Sequence, residues 1–308
     1  MKKIIAAVFM VALCVISCNK ANVETESSDD YVQISLGLIG EVPTITTSPM
    51  TRAGEAKDWY QIQVYSAPKG TTDYKYYGYG FFDNVDNMLI NLKKGYQYMF
   101  EVDMIVDGSE KINHFSLVNS GWADITNSFY LSFDEHIRYL GNGYLYMSRP
   151  NDTFNRPDVD RFYGIAEGYV PRSNGKVSVD MKRVAFGVKF VANDFEVGEL
   201  EIQIDQAPGM KMISGEGNTA ESVISFYNTA AAYADKDYTE NIAVNIILAK
   251  EDGVRIPLVA QEVPFMRNRI TTIEFNAQEP SQNNTFKITA NEEWETGDTI
   301  YLEGSDQE

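Results

Sequence analysis

Short apolar runs with a period of two residues recur along most of the chain, and they constrain its fold more than any other feature. The first run consists of Val32, Ile34, Leu36 and Leu38, with polar or small residues between them. Because successive side chains of a strand point to opposite faces of a sheet, this alternation indicates strands with one buried face. Glycine-containing turns separate the runs. The sequence therefore predicts an all-β protein.

The number of these runs favours two β-sandwich domains in tandem over a single oversized sandwich. A polar turn cluster covers residues 169–175, and the strand pattern beyond it is more regular. We therefore predict an N-terminal domain over residues 31–172 and a C-terminal domain over residues 173–308.

One stretch has a spacing that favours a helix. Between Thr219 and Tyr233 the apolar residues recur near the helical period, and Gly217 and Asn218 precede them. We predict a helix here, and a long loop is the alternative.

The N-terminus has the composition of an export signal. A lysine pair is followed by the apolar residues 4–16, which are too few to span a membrane as a helix. Val15 and Ser17 stand where a lipobox has an aliphatic and a small residue before its cysteine, Cys18. We predict a lipoprotein signal peptide over residues 1–17 and lipidation of Cys18. The alternative is an ordinary secretory signal that leaves Cys18 as a free thiol.

Residues 18–30 are polar and acidic and contain no aromatic residue, which predicts a flexible tether. The tether loosely resembles acidic signals that direct some lipoproteins to the cell surface, and a simple solvated spacer is the alternative. The whole chain has a net charge of -18. Such a charge repels nucleic acids and anionic headgroups, so we exclude both as partners and expect acyl chains to provide the membrane anchor.

The sequence contains no recognisable catalytic or metal-binding motif. Cys14 and Cys18 are the two cysteines, so the chain after Cys18 excludes disulfides and cysteine-ligated metals. His114 and His136 lie in unrelated strand-like contexts, without the spacing of a metal site. Nucleophile-elbow, phosphate-loop and dinucleotide motifs are also missing from the sequence. We predict no enzymatic activity, no metal and no cofactor.

A cluster of tyrosines could bind sugar rings by stacking. Its members are Tyr74, Tyr76, Tyr77 and Tyr79. The alternative is ordinary cross-strand aromatic packing. A glycan-binding surface lipoprotein is therefore the second functional hypothesis.

The segment of residues 49–55 is bounded by a proline and a glycine and contains one arginine, Arg52. An arginine-specific protease could cut an exposed bond between Arg52 and Ala53. The alternative is a plain linker between the first strand and the rest of its domain.

Several stretches together resemble a known family. They are, in order, the lipobox at Cys18, Thr51-Arg52-Ala53, Leu92–Phe100, Val179–Val184, and Arg267–Ile273 followed by Trp294. Their order and spacing resemble fimbrillins, the lipoprotein subunits of type V pili, including the Mfa-like branch. The resemblance covers nearly the whole chain.

The resemblance implies two transthyretin-like β-sandwiches, exported as a lipoprotein to the outer membrane and the cell surface. It also implies cleavage between Arg52 and Ala53, which would release the strand at residues 31–39. The displaced apolar side chains would be those of Val32, Ile34, Leu36 and Leu38. A strand from another fimbrial subunit, or from a second copy of this chain, would then fill the groove.

The candidate donor strand lies near the C-terminus and consists of Phe286, Ile288, Ala290, Ile300 and Leu302. Anchor and tip subunits of the family can keep their first segment, so these roles, and that of a free-standing adhesin, remain open at this stage. In each of them the partner could be a receptor or a glycan on a host or bacterial surface.

Overall fold

The computed structural model describes residues 30–42, 57–111, 115–116, 121–122, 127–131, 145–146, 153–277 and 287–290. Its strands are β1 (Tyr31–Gly40), β2 (Trp59–Pro68), β3 (Lys75–Phe82), β4 (Leu89–Lys93), β5 (Tyr96–Ile105), β6 (Phe115–Ser116), β7 (Gly121–Trp122), β8 (Ser128–Leu131), β9 (Leu145–Tyr146), β10 (Thr153–Phe154), β11 (Arg161–Tyr169), β12 (Gly175–Arg183), β13 (Ala185–Asn193), β14 (Glu199–Ile204), β15 (Met210–Ile213), β16 (Thr219–Ser225), β17 (Thr239–Ala249), β18 (Arg255–Met266), β19 (Ile270–Asn276) and β20 (Lys287–Ala290). The all-β prediction is confirmed.

Helices are short in the described part of the chain. They are a 3₁₀-helix (Val85–Asn87) and the α-helices α1 (Gly108–Lys111) and α2 (Thr229–Ala234). None of these described helices is long and apolar enough to cross a membrane.

The first domain is built on one sheet with the strand order β4-β1-β12-β11-β5-β2-β3-β8. The sheet curls so that its edge strands β4 and β8 approach each other. The hydroxyl of Tyr77 on β3 donates a hydrogen bond to the carbonyl oxygen of Asn91 on β4 at 2.9 Å. The curled sheet encloses one apolar core, in which the side chains of Ile34, Tyr98 and Phe100 are completely buried.

Strand β1 is the first described strand of the chain, yet it lies inside the sheet. It pairs in parallel with β12, from Ile34 opposite Gly175 to Gly40 opposite Met181. It also pairs antiparallel with β4. The alternation predicted from the sequence is observed, because Val32, Ile34 and Leu36 are buried and Leu38 packs against the same core.

The second domain is a sandwich of two four-stranded sheets, with the orders β16-β13-β19-β20 and β15-β14-β17-β18. Their inner faces form a second core. At its centre the ring of Phe186 stacks on that of Phe265 with 4.4 Å between centroids, and Phe226 lies 4.9 Å from Phe186. Pairs of this kind add directional packing energy to the burial of apolar area.

The division between the domains falls after β12. This strand pairs with β1 and β11 in the first sheet, and its Met181 belongs to the first core, whereas Val184 belongs to the second. The predicted boundary between residues 172 and 173 therefore differs from the observed division. The polar residues 169–175 connect two strands of one sheet. A turn of this kind and a linker between domains have similar amino-acid compositions.

The predicted helix over residues 219–233 is wrong for its first half. Residues 219–225 form β16, which pairs antiparallel with β13. Val223 and Ile224 are β-branched and suit a strand, and pairing with β13 outweighs the helical spacing of the apolar residues. A short helix, α2, follows, and the side chain of Asn228 caps it by accepting from the amide of Ala231 at 3.1 Å.

The buried face of β1 predicts unequal effects of two isoleucine substitutions in the same strand. Ile34 is completely buried, whereas Ile39 is 52% exposed. We expect Ile34→Ala to lower the free energy of unfolding by about 2–5 kcal/mol and Ile39→Ala to change it by less than about 0.5 kcal/mol. Urea unfolding of both variants measures this difference, and equal losses would contradict the observed register.

Candidate functional site

The end of β1 turns sharply at Gly40, and this turn builds the site. Gly40 has a φ of +94°, and a Cβ atom there would lie 2.3 Å from Oδ1 of Asp180 and 2.6 Å from the carbonyl oxygen of Met181. Glycine is therefore required by both conformation and space. The turn lets the amide of Glu41 donate to the carbonyl of Met181 at 2.9 Å, which aims the Glu41 side chain at the second domain.

Glu41 forms a two-pronged ion pair with Arg267 of the second domain. The distances are 2.6 Å from Nη1 to Oε2 and 3.0 Å from Nη2 to Oε1. The amide of Arg183 also donates to Oε2 at 2.9 Å. The Arg267 side chain is only 3% exposed, and that of Glu41 is 34% exposed. Burial by itself would raise the pKa of Glu41, but the hydrogen bonds from Arg267 and the Arg183 amide outweigh burial and lower it.

A second ion pair lies beside the first. Nε and Nη2 of Arg183 donate to the two carboxylate oxygens of Asp160, each at 2.8 Å. Nη1 of Arg183 donates to Oδ1 of Asn268 at 3.1 Å, and Nη1 of Arg267 donates to the Arg183 carbonyl at 2.8 Å. We call Glu41, Asp160, Arg183, Arg267 and Asn268 the junction cluster.

Four separate parts of the chain position the junction cluster. Glu41 follows β1, Asp160 precedes β11, and Arg183 is the last residue of β12. Arg267 and Asn268 lie in the turn between β18 and β19, where Asn268 has a φ of 56°. Asparagine tolerates this left-handed conformation better than most residues. The cluster thus connects the end of β1 directly to the second domain.

Other contacts fix the same junction. The buried side chain of Arg156 pairs with Glu240 and lies 3.6 Å from Oδ2 of Asp205, both in the second domain. The Lys182 ammonium donates to the carbonyl of Tyr233 at 3.1 Å and lies 4.7 Å from the centre of its ring. These contacts join the two domains independently of Glu41.

A fully buried ion pair supports the start of β11. Arg161 is completely buried, and its Nε lies 2.5 Å from Oδ1 of Asp103 on β5. Burial raises the pKa of Asp103, and the charge of Arg161 offsets part of that rise. The carbonyl of Arg161 accepts from the amide of Val184 at 2.8 Å, at the point where the chain enters the second domain.

The structure places part of the predicted donor strand in its own domain. Strand β20 pairs antiparallel with β19 at the edge of a sheet, and Ile288 is 4% exposed within the second core. Ala290 is the last residue of β20. Phe286, Ile300 and Leu302 lie outside the described residues, as do the lipidation site Cys18 and the cleavage site at Arg52 and Ala53.

Two of the four predicted glycan-binding tyrosines, Tyr77 and Tyr74, make contacts within the protein. The Tyr77 ring is buried on the inner face of β3, 5.0 Å from the Tyr98 ring, so its inclusion was wrong. Tyr77 and Phe82 are five residues apart, so a strict period of two would place them on opposite faces of β3. The register shift opposite Val64 and Tyr65 leaves Tyr77 as an extra residue and lets both rings face the core. The hydroxyl of Tyr74 accepts from the amide of Gly168 at 3.2 Å.

The other two tyrosines lie on the outer face and contact rings that the sequence did not reveal. Tyr76 lies 4.8 Å from Tyr65 on β2, and Tyr79 lies 5.7 Å from Tyr130 on β8. Tyr65 and Tyr76 meet because β2 and β3 are consecutive strands that pair antiparallel. Tyr130 lies on β8, which is distant from β3 in the sequence, so only the sheet order brings it beside Tyr79.

The junction cluster was also missed by sequence reasoning. Two signals could have indicated it: Arg183 and Arg267 lie in stretches already singled out, and Glu41 follows the first predicted strand. Their pairing depends on topology, which charge patterns alone do not reveal.

A cavity of about 830 Å³ lies beside the junction cluster, and Asp107, Asp158, Asp160, Lys189 and Glu221 are among its lining residues. Within the described parts of the chain, no group of three or more histidine, cysteine or acidic residues could bind a metal ion. We assign no ligand to this cavity.

No protein-family model and no curated protein matches the sequence. Solved structures do resemble it. A Bacteroides ovatus protein described as a candidate adhesin has a TM-score of 0.42 and 9% identity, over 90% of this chain and 96% of its own. The fimbrial anchor protein Mfa2 of Porphyromonas gingivalis has a TM-score of 0.38 and 10% identity, over 88% and 98%. The tip fimbrial protein Mfa3 of the same organism has a TM-score of 0.32 and 10% identity, over 76% and 93%.

The lowered pKa of Glu41 predicts how its contribution depends on pH. The contribution of such a group is present above its unfolded pKa, near 4.5, and is lost as the pH falls through the lower folded value. We expect Glu41→Gln to destabilise the protein at pH 7 and to have a smaller effect at every pH below about 4.5. Urea unfolding of the wild-type and Glu41→Gln proteins from pH 7 to below pH 4.5 gives the difference in their free energies of unfolding. The contributions of the other titrating groups cancel in this difference. A difference independent of pH would contradict the ionised pair.

Proposed function

We propose that the chain is a fimbrillin-like pilus subunit or adhesin of the cell surface, exported as a lipoprotein through Cys18, and that it has no catalytic activity. The observation that carries the proposal is the position of β1. This strand comes first among the described strands, lies between β4 and β12, and is followed by the segment that contains Arg52. One cut after Arg52 would leave β1 attached to the rest of the protein by non-covalent contacts alone.

Loss of β1 would open a groove suited to another strand. Burial of its four aliphatic side chains contributes on the order of 6–12 kcal/mol. The removal of β1 would also leave the facing backbone edges of β4 and β12 unpaired. An incoming strand with alternating apolar residues would restore both the burial and the pairing.

The position of β20 makes its own residues a poor choice of donor strand. Ile288 already fills the core of its own domain, so using it as a donor would open that core. We infer that the part of the chain beyond Ala290, with Ile300 and Leu302, is the better donor. Its partner would be another fimbrial subunit or a second copy of this chain.

Whether the chain is cut after Arg52 would determine where the protein is located and which role it has. An uncut chain would stay anchored in the outer membrane by its lipid, as an anchor subunit or an adhesin. A chain cut after Arg52 would leave its lipid behind and could join a fimbrium.

The proposal is tested first on the protein recovered from the surface of its native cell. We expect intact mass and N-terminal sequencing to give a chain that begins at Ala53, and we expect Arg52→Ala to give one that begins at diacylated Cys18 and does not polymerise. Deletion of residues 291–308 retains β20 and should also block polymerisation. A wild-type chain that begins at Cys18 and still polymerises would contradict cleavage-dependent assembly.

A second function, glycan binding, is favoured by the outer aromatic rings. Tyr130 is 42% exposed beside Tyr79, and the Tyr65 hydroxyl next to Tyr76 donates to Glu101 at 3.1 Å. Aromatic faces with a carboxylate nearby suit the stacking and hydrogen bonding of a sugar ring.

Glycan-array binding tests this second function with a matched pair of variants. We expect Tyr130→Ala to abolish specific sugar binding, because it removes an exposed ring of the cluster. Tyr227→Ala, in the second domain and 43% exposed, should leave binding unchanged. The absence of any specific sugar binding by the wild-type protein would rule out this function.

A further inference from the structure

Among the residues that the structure describes, the carboxylate that pairs with Arg267 is that of Glu41, the residue that follows β1. Arg267 is 3% exposed, and Glu41 binds both of its terminal nitrogens. Glu41 follows β1 directly, so it would leave together with the strand. Asp160, the other carboxylate of the junction cluster, already accepts from Arg183 with both oxygens.

Removal of β1 would therefore leave a buried positive charge without a counter-charge. Arginine does not lose its proton in proteins, so Arg267 cannot neutralise itself as a buried lysine could. A buried charge that loses its partner is strongly unfavourable. The planar guanidinium group is also shaped to bind a carboxylate with two parallel hydrogen bonds.

We propose that the strand which replaces β1 must present a carboxylate at the end of the groove that faces the second domain, and that Arg267 recognises this carboxylate. This inference rests on the proposed strand replacement and adds a requirement to it. Apolar residues at the positions of Val32, Ile34 and Leu36 would fill the core. The carboxylate would restore the contact that Glu41 makes, and so fix how far the strand enters the groove.

The occupant that fits this requirement is the C-terminal segment of a second copy of the chain. Residues 291–308 contain seven acidic residues and no lysine or arginine. They also include the apolar Ile300 and Leu302. An acidic segment with alternating apolar residues is complementary to an apolar groove that ends at a buried arginine.

Strand exchange tests the requirement on the full chain. A unique protease site replaces residues 44–55, and cleavage then leaves β1 bound without a covalent link. Labelled peptides of residues 30–42 compete with the resident strand, and their uptake at increasing concentration gives relative affinities. We expect the Glu41→Gln peptide to bind at least about tenfold more weakly than the wild-type peptide. The matched control, Ile39→Ala, changes a residue that is 52% exposed and should bind within about twofold.

A chain with Arg267→Met completes the test, because it should bind the wild-type and Glu41→Gln peptides equally. Equal binding of these two peptides to the unsubstituted chain would overturn the role of Arg267 and leave strand replacement intact. Failure of every peptide to enter would overturn strand replacement itself, and with it the inference. A peptide of residues 291–308 should displace labelled β1, and its failure to do so would overturn the identity of the occupant.

Discussion

The ion pair between Glu41 and Arg267 links the end of β1 to the second domain, and it is one of several contacts that fix the junction of the two domains. One charge follows the first strand of the first domain, and the other lies in the turn between β18 and β19 of the second. The arginine is almost fully buried, and a buried pair gains little over apolar packing but becomes costly when either partner is lost. The pair therefore contributes more to the specificity of the junction than to overall stability, and it makes the junction sensitive to the presence of β1.

The topology makes β1 the strand around the first core that the proposed exchange could replace. A strand between two others along the chain, such as β12, is attached at both ends and cannot leave without pulling on β11 and β13. Strand β1 is the first described strand, so one cut in the residues that follow it would free it from the strands beyond. Its partners β4 and β12 are also reached through long stretches of chain, so no tight hairpin turn holds it in place.

The sequence predicted the elements better than their boundaries, and for physical reasons. The alternation of Val32, Ile34 and Leu36 has one structural solution, a strand with a buried face. Residues 219–225 have spacing that suits a helix or a strand, and the edge of β13 decided between them. The polar residues 169–175 suit a turn or a linker equally well. The junction cluster combines side chains from four distant segments, so no local pattern could indicate how its members pair.

Three of the stretches that resemble fimbrillins lie around β1 in the folded chain. Leu92 lies on β4 opposite Val32, and Val179 lies on β12 opposite Leu38, so two of the stretches provide the strands on either side of β1. A third contains Arg267, which binds the carboxylate of Glu41. Stretches that are far apart in the sequence thus surround one strand. If β1 is exchanged during assembly, as proposed, an incoming strand would contact these same residues.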